Sequence, residues 1–213
     1  MRKFIGVLCC ILGVLCILSS IGLLLFNRHE SETAKESAKS LLDAVQRVIE
    51  ENKKSYQLTT QNDEISDEIA DGVLPVMKTI EVDGYECIGF LSIPVLELEL
   101  PVLTDWSYEK LNKAPCHYYG SYYEKDFVIA GHNYKPHFGR LSELCEGDAV
   151  FFTDVNGEAY CYEVVLLETL PQNATKEMIA SGFDLSLYTC TLGGDNRITV
   201  RCNAVDIDNN IQN

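Results

Sequence analysis

Positive charge is scarce in this chain. Seventeen Lys and Arg stand against 32 Asp and Glu, giving a formal net charge of −15 over 213 residues. The cations form no stripe along the sequence. Nucleic-acid-binding surfaces need clustered Lys and Arg, so the composition argues against a nucleic-acid partner. An acidic balance serves solubility first, and attraction of cationic groups such as amines second. The chain also lacks any C-x-x-C pair. Three of its nine cysteines, Cys9, Cys10 and Cys16, lie in the apolar N-terminus, and Cys87, Cys116, Cys145, Cys161, Cys190 and Cys202 are irregularly spaced. Neither a zinc site nor a small disulfide scaffold follows from such spacing. Several buried thiols are expected, with pairing among Cys87, Cys116, Cys145, Cys161 and Cys202 left open. No internal repeat or low-complexity tract is present.

What the chain does have begins with one long apolar run. Residues Phe4 to Phe26 are apolar except for Ser19 and Ser20 and follow Arg2-Lys3. That length crosses a bilayer as a helix, and it exceeds the apolar region of a cleaved signal peptide. The flanking cations place the N-terminus inside and the remainder outside, with Arg28 weakening the asymmetry. From Ser31, Ala34, Ala38, Leu41, Leu42, Val45, Val48 and Ile49 recur at helical spacing, which predicts an amphipathic helix to about Asn52, a stalk or a packing helix. Residues Lys53 to Asp83 are polar and read as a linker with a weakly helical patch over Ile65 to Ile69. The organisation is therefore 1–28 membrane anchor, 29–83 helical stalk and linker, and 84–213 globular domain.

From Tyr85 the patterning changes to strands. Ile88 to Leu103 holds two runs, the second alternating Leu96, Leu98 and Leu100 with acids. Trp106 to Asn112 reads as a short helix, Ala114 to Ser121 as a loop, and Phe127 to Ala130 as a strand. Gly147 to Asp154 and Ala159 to Leu167 form a hairpin about Asn156-Gly157. Lys176 to Ala180 is briefly helical, and two strands flank Cys190 and Arg197. Short strands at this spacing indicate an all-β barrel or sandwich with small helices.

Three residues at strand ends carry the chemistry. Cys190 closes an apolar run before Gly193-Gly194-Asp195-Asn196, Arg197 opens the next alternating strand, and His132 follows Phe127-Val-Ile-Ala-Gly131. A thiolate is the nucleophile and a neighbouring cation favours it, although a lone cysteine is more often a buried small hydrophobe. A Cys-His pair attacks a carbonyl and protonates the departing amine, while an arginine orients the substrate or stabilises an oxyanion. Arg201 rivals Arg197, because residues four apart on a strand share a face. His117 lies in a Pro-Cys-His-Tyr segment, His137 in a Lys-Pro-His-Phe-Gly segment, and His29 abuts the apolar run.

Ile88-Gly-Phe-Leu-Ser-Ile-Pro94, Val128-Ile-Ala-Gly-His-Asn133 and Leu187-Tyr-Thr-Cys190 followed by Arg197-Ile-Thr-Val-Arg201 resemble the sortase family, cell-wall transpeptidases of Gram-positive bacteria. The resemblance covers Tyr85 to Ala204. It implies an eight-stranded β-barrel with short helices and a site of His132, Cys190 and Arg197, with Arg201 as runner-up. It further implies cleavage of a Leu-Pro-x-Thr-Gly-like sorting signal through a thioacyl enzyme, and transfer to an amine of a peptidoglycan precursor or a pilin. Thr189, Thr191 and Asn133 are secondary candidates for substrate contact. The Gly131-to-Gly139 segment and helical N-terminus resemble class B or class D members, and the absence of a second apolar segment after Cys202 disfavours the pilin-polymerising class. No cofactor is expected. Some class A members bind calcium, and Glu143, Glu146 and Asp148 form an acidic cluster, but surface acids are usually solvated.

Two other classes compete. A papain-like or other cell-envelope cysteine endopeptidase also uses Cys and His, but the papain arrangement puts the Cys first and on a helix. A non-catalytic, membrane-tethered β-barrel binding module would leave Cys190 buried and unreactive.

Overall fold

A computed structural model describes residues 2–59 and 75–205. The patch over Ile65 to Ile69 lies outside the described residues. Helix α1 (Arg2–Thr59) is continuous from the apolar segment through the amphipathic one. Its N-terminal part is apolar all round, with Ile11, Leu15, Ile17, Leu24 and Phe26 all exposed. Such a surface suits a lipid environment, and the helix is long and apolar enough there to cross a membrane. The helix runs past Asn52, since nothing between Lys53 and Thr59 is a Gly or Pro that would stop it.

The amphipathic half packs on the domain, the second of the two roles its pattern allows. Ala34, Ala38, Leu41, Leu42, Val45 and Ile49 are buried. Leu41, Val45 and Ile49 join Val82, Cys87, Leu103, Cys116 and Ala130 in a cluster between α1 and the sheet. Burying each large aliphatic side chain contributes about 1.5–3 kcal/mol. With its apolar stripe covered by the barrel, α1 has little left for a coiled-coil partner.

Nine strands follow among the described residues: β1 (Ile80–Val82), β2 (Tyr85–Ile93), β3 (Leu98–Leu103), β4 (Cys116–Tyr119), β5 (Phe127–Ala130), β6 (Ala149–Asp154), β7 (Ala159–Pro171), β8 (Leu185–Cys190) and β9 (Asn196–Ala204). Their order is β1-β2-β3-β4-β5-β8-β9-β7-β6, and β2 also pairs with β6. That pairing, Gly89 opposite Asp154 through Ser92 opposite Phe151, closes β2 to β9 into an eight-stranded barrel with β1 as an appended edge. The choice between barrel and sandwich is thereby settled. Inward residues of alternate positions, among them Leu91, Phe127, Ile129, Phe152, Leu185, Leu187 and Val200, fill the interior. Gly89 is required at the closure, because a Cβ there would stand 2.0 Å from the Thr153 carbonyl oxygen.

Two strands escape the sequence reading. The segment Ala114 to Ser121, expected as a loop, contains β4, which pairs with β5 through Cys116 opposite Ala130 and His117 opposite Ile129. β1 precedes the expected start at Tyr85 and joins β2 through Asp83 and Gly84, both at positive φ. Short helices α2 (Tyr108–Leu111) and α3 (Thr175–Ile179) sit where the sequence predicts them. The Asn156-Gly157 turn joins β6 to β7 with Gly157 at φ 83°, and Asp154 Oδ1 accepts from the Asn156 and Glu158 amides at 2.9 Å.

Candidate active site

Three adjacent strands bring the sequence-derived residues to one end of the barrel. β5 and β8 run parallel, with Phe127 opposite Leu185 and Ala130 opposite Tyr188, and the Gly131 amide continues the ladder to the Tyr188 carbonyl at 3.0 Å. Two residues on, His132 and Cys190 leave neighbouring strands at the same level, where strand spacing is about 4.8 Å. β9 lies on the other side of β8, and Cys190 is the direct cross-strand partner of Arg197.

The faces agree as well. On β8, Leu185 and Leu187 point into the barrel core, so Ser186, Tyr188 and Cys190 point outward. Ile198 packs on the same core, which turns Arg197, Thr199 and Arg201 outward. Cys190 is partly exposed and carries a free thiol. Burial raises four other thiols: Cys87, Cys116 and Cys202 are pushed up to about 12, and Cys161 is raised as well.

The two arginines have different surroundings. Arg201 is 1% exposed, and its guanidinium is committed to Glu168 Oε1 at 2.8 Å, Ser186 Oγ at 2.8 Å and the Glu177 carbonyl at 2.8 Å. It ties α3 to β7 and β8. Arg197 stays partly exposed at the open end, where one terminal nitrogen donates to the Gly194 carbonyl at 2.8 Å and the Asn196 carbonyl at 3.1 Å. Its remaining N–H groups are available toward Cys190 and a bound ligand.

The histidines also separate. His117 has Nδ1 3.1 Å from the Thr104 carbonyl oxygen and Nε2 2.9 Å from that of Gly120, so backbone occupies both ring nitrogens. His137 is fully buried beside Ala34 of α1, and burial pushes it down to about 4. His132 is partly exposed. Burial lowers its pKa, opposed by the Glu30 carboxylate on α1. Its ring lies 4.8 Å from that of Tyr134, whose hydroxyl is raised by burial and then by the same carboxylate. The loop is pinned by Phe138, whose amide donates to the His132 carbonyl at 3.0 Å. Gly131 leaves room for it, since a Cβ there would meet the Phe138 ring at 2.5 Å.

Among the secondary candidates, Thr189 is buried on the inner face with its hydroxyl unpartnered. Thr191 closes the turn between β8 and β9 through its amide to the Asn196 carbonyl at 3.0 Å, and Asn133 is partly exposed beside His132. Two of the three acidic residues considered for calcium have other partners: Glu143 pairs with Arg140 at 2.8 Å, and Asp148 accepts from the Cys145 amide at 2.7 Å. Glu30 and Tyr134 were not foreseen, because no local pattern connects a carboxylate beside the apolar run with a loop a hundred residues later.

The sortase domain matches residues 91–205. No curated protein sequence matches the chain. Sortase C1 of Streptococcus suis is 25% identical with a TM-score of 0.52, covering 57% of this chain and 74% of that one. Sortase C1 of Streptococcus agalactiae is 21% identical with a TM-score of 0.56, covering 79% and 99%. A sortase D5 transpeptidase of Clostridium perfringens is 17% identical with a TM-score of 0.54, covering 82% and 99%. Members of two classes fit the fold about equally, so the fold does not sort the chain into one of them. The domain match spans more than half of the chain and contains the whole His132, Cys190 and Arg197 neighbourhood: the chain belongs to the sortase family.

Proposed function

We propose that the protein is a membrane-anchored cysteine transpeptidase that cleaves a Leu-Pro-x-Thr-Gly-like sorting signal and joins the released surface protein to an amine of a peptidoglycan precursor or a pilin. The observation that carries this reading is the direct cross-strand pairing of Cys190 with Arg197 at the end of β8, with His132 two residues beyond the end of the adjacent parallel strand β5. A related sortase C of Clostridium perfringens has been solved with its C-terminal cell wall sorting motif, which supports a peptide of this kind as ligand.

The chemistry proceeds in two balanced steps. The Cys190 thiolate attacks the scissile carbonyl and forms a C–S bond, while Arg197 donates to the developing oxyanion. Collapse breaks the C–N bond, and the His132 imidazolium gives its proton to the departing amine. An acceptor amine then attacks the thioester, His132 takes its proton, and the thiolate leaves. The thioester retains the acylating potential of the cleaved peptide bond, so no nucleotide is consumed. Asn133 and Thr191 border this site and serve as contacts for the sorting signal, whereas Thr189, enclosed on the inner face of β8, does not reach it.

The polypeptide crosses the membrane once through α1, with its N-terminus cytoplasmic and the barrel outside. The test is intact-mass measurement on the full chain in detergent micelles with sorting-signal peptides, with and without an amine. An adduct on Cys190 that the amine discharges supports transpeptidation. Discharge by water at an unchanged rate when amine is added points to an endopeptidase, and absence of any adduct points to a binding module.

A further inference from the structure

A groove of about 580 Å³ opens at the end of the barrel opposite Cys190, lined by the β4–β5 loop, the start of β7 and the end of β9. β8 runs from Leu185 at this end to Cys190 at the other. The groove is therefore roughly 17 Å from the nucleophile and no part of the site described above. Tyr122, Tyr123 and Tyr160 form its floor and wall. The Tyr122 ring centroid stands 4.4 Å from that of Tyr123 and 4.9 Å from that of Tyr160, and Tyr123 meets Tyr160 at an interplanar angle of 84°. Tyr123 and Tyr160 are partly exposed, whereas Tyr122 is 5% exposed and its hydroxyl has no hydrogen-bond partner among the described residues. Burial raises the Tyr122 and Tyr160 hydroxyls, so both stay protonated and able to donate.

The lining selects the chemistry of the occupant. Lys125 is the one cation in it, held by Asp184 at 3.6 Å and by the Gly182 carbonyl at 3.1 Å. Glu124 forms no ion pair among the described residues, so an anionic ligand would meet repulsion. An extended peptide finds no free strand edge to join, because the Val205 amide already donates to the Cys161 carbonyl at 2.9 Å and the Ala204 amide to Asp184 Oδ2 at 2.8 Å. What fits is a neutral ligand with apolar faces for the rings and many hydroxyls for Glu124 and Tyr122. A pyranose supplies both: its C–H groups lie against the negative face of an aromatic ring, and its hydroxyls donate to a carboxylate with charge-assisted strength.

The course of α1 agrees with such a ligand. The helix leaves the apolar run at Phe26, passes Tyr134 with Glu30, and reaches the turn before β7, where a Cβ on Gly157 would run into the Lys53 side chain. At 1.5 Å per residue, Lys53 stands roughly 40 Å beyond Phe26. The Cys190 end thus faces the bilayer, and the tyrosine groove faces away from it. We infer that this groove binds a neutral glycan chain of the matrix beyond the membrane and holds the outer end of the barrel against it. The inference rests on the membrane-anchored reading only for where the glycan lies. Binding itself does not depend on catalysis.

The experiment uses the full chain in micelles of a zwitterionic detergent without sugar heads and reads hydrogen exchange of residues 121–126 and 159–163. The probes are the tetramers of N-acetylglucosamine and of glucose, a hyaluronate oligomer as the anionic counterpart, and a proline-rich peptide as a protein-like ligand. At least one neutral tetramer is expected to give half-maximal protection below about 1 mM, with none from hyaluronate or the peptide at that concentration. Tyr160→Ala removes the wall and is expected to weaken protection at least about tenfold, and Tyr122→Phe, which keeps the ring, about three- to tenfold. Ala204→Gln obstructs the groove from an exposed position and is expected to abolish protection, which decides the matter should Tyr160→Ala lower the melting temperature. Protection by neither tetramer, equal protection by hyaluronate, protection by the peptide instead, or unchanged protection in Ala204→Gln each overturns the inference. Loss of thioacyl formation in the unaltered protein with glycan protection intact would instead count against the transpeptidase reading alone.

Discussion

Cys190 and Arg197 face each other directly on the last rung between β8 and β9, whereas Arg201, on the same face of β9, is sealed beneath α3. The two arginines should therefore fail differently. Arg197→Ala is expected to lower turnover by about 10²–10³-fold, the usual cost of a lost oxyanion donor, with little change in melting temperature. Arg201→Ala leaves Glu168 and two helix carbonyls without their partner and is expected to cost about 3 kcal/mol of stability. Turnover and thermal melts of both variants decide it. Inactivation by Arg201→Ala with normal stability would reverse the assignment.

The thiols offer a second comparison. Iodoacetamide near neutral pH is expected to modify Cys190 in the folded protein and spare Cys87, Cys116 and Cys202, whose thiolates burial suppresses. Peptide mapping by mass spectrometry checks this. Cys190→Ala removes one partly exposed sulfur at a strand end, so the fold should persist while thioacyl formation disappears. A thioacyl adduct surviving in that variant would exclude Cys190 as nucleophile.

Most of the barrel was readable because its strands alternate and the β6–β7 hairpin carries Asn156-Gly157. β4 was not: Cys116 to Tyr119 is four residues long, follows Pro115, and has no apolar alternation, so only its pairing with β5 reveals it. β1 is a three-residue edge made by the Asp83-Gly84 turn. Within the site, His132 and Cys190 were legible as strand ends. Periodicity did not choose the arginine, since period two gives Arg197 and Arg201 the same face, and only the family resemblance named Arg197. What separates them is α3 and Glu168, brought over by the tertiary fold.

Glu30 provides a pH prediction for activity. Burial lowers the His132 pKa and the Glu30 carboxylate partly restores it, so Glu30→Gln should lower it further. In the proposed chemistry the imidazolium must be present at the first step. The basic limb of the pH–rate profile for thioacyl formation is therefore expected to move to lower pH in Glu30→Gln. A proton titration of the His132 ring by NMR should show a shift in the same direction. An unmoved limb with an unmoved ring would mean that α1 does not influence the site electrostatically.

His137 → Leu tests how α1 is held on the barrel. The ring is buried and stays neutral down to about 4, against an ordinary value of 6.5. Between those values the unfolded chain binds a proton that the folded one excludes, so stability rises with pH there. This contribution is complete above the ordinary value and is lost as pH falls toward about 4, at up to about 1.4 kcal/mol per pH unit. His132, also lowered, adds in the same sense; Asp126, whose carboxyl is held below its ordinary 3.8 by Ser181 and Gly182 donors that outweigh burial, loses its contribution only at lower pH than this window. The full chain in micelles should therefore melt at progressively lower temperature as pH falls from 6.5 to 4.5. In His137→Leu the same decline should be shallower, leaving the part due to His132. Parallel declines in the two proteins would show that His137 takes up its proton in the folded state, and that the contact with Ala34 opens without cost.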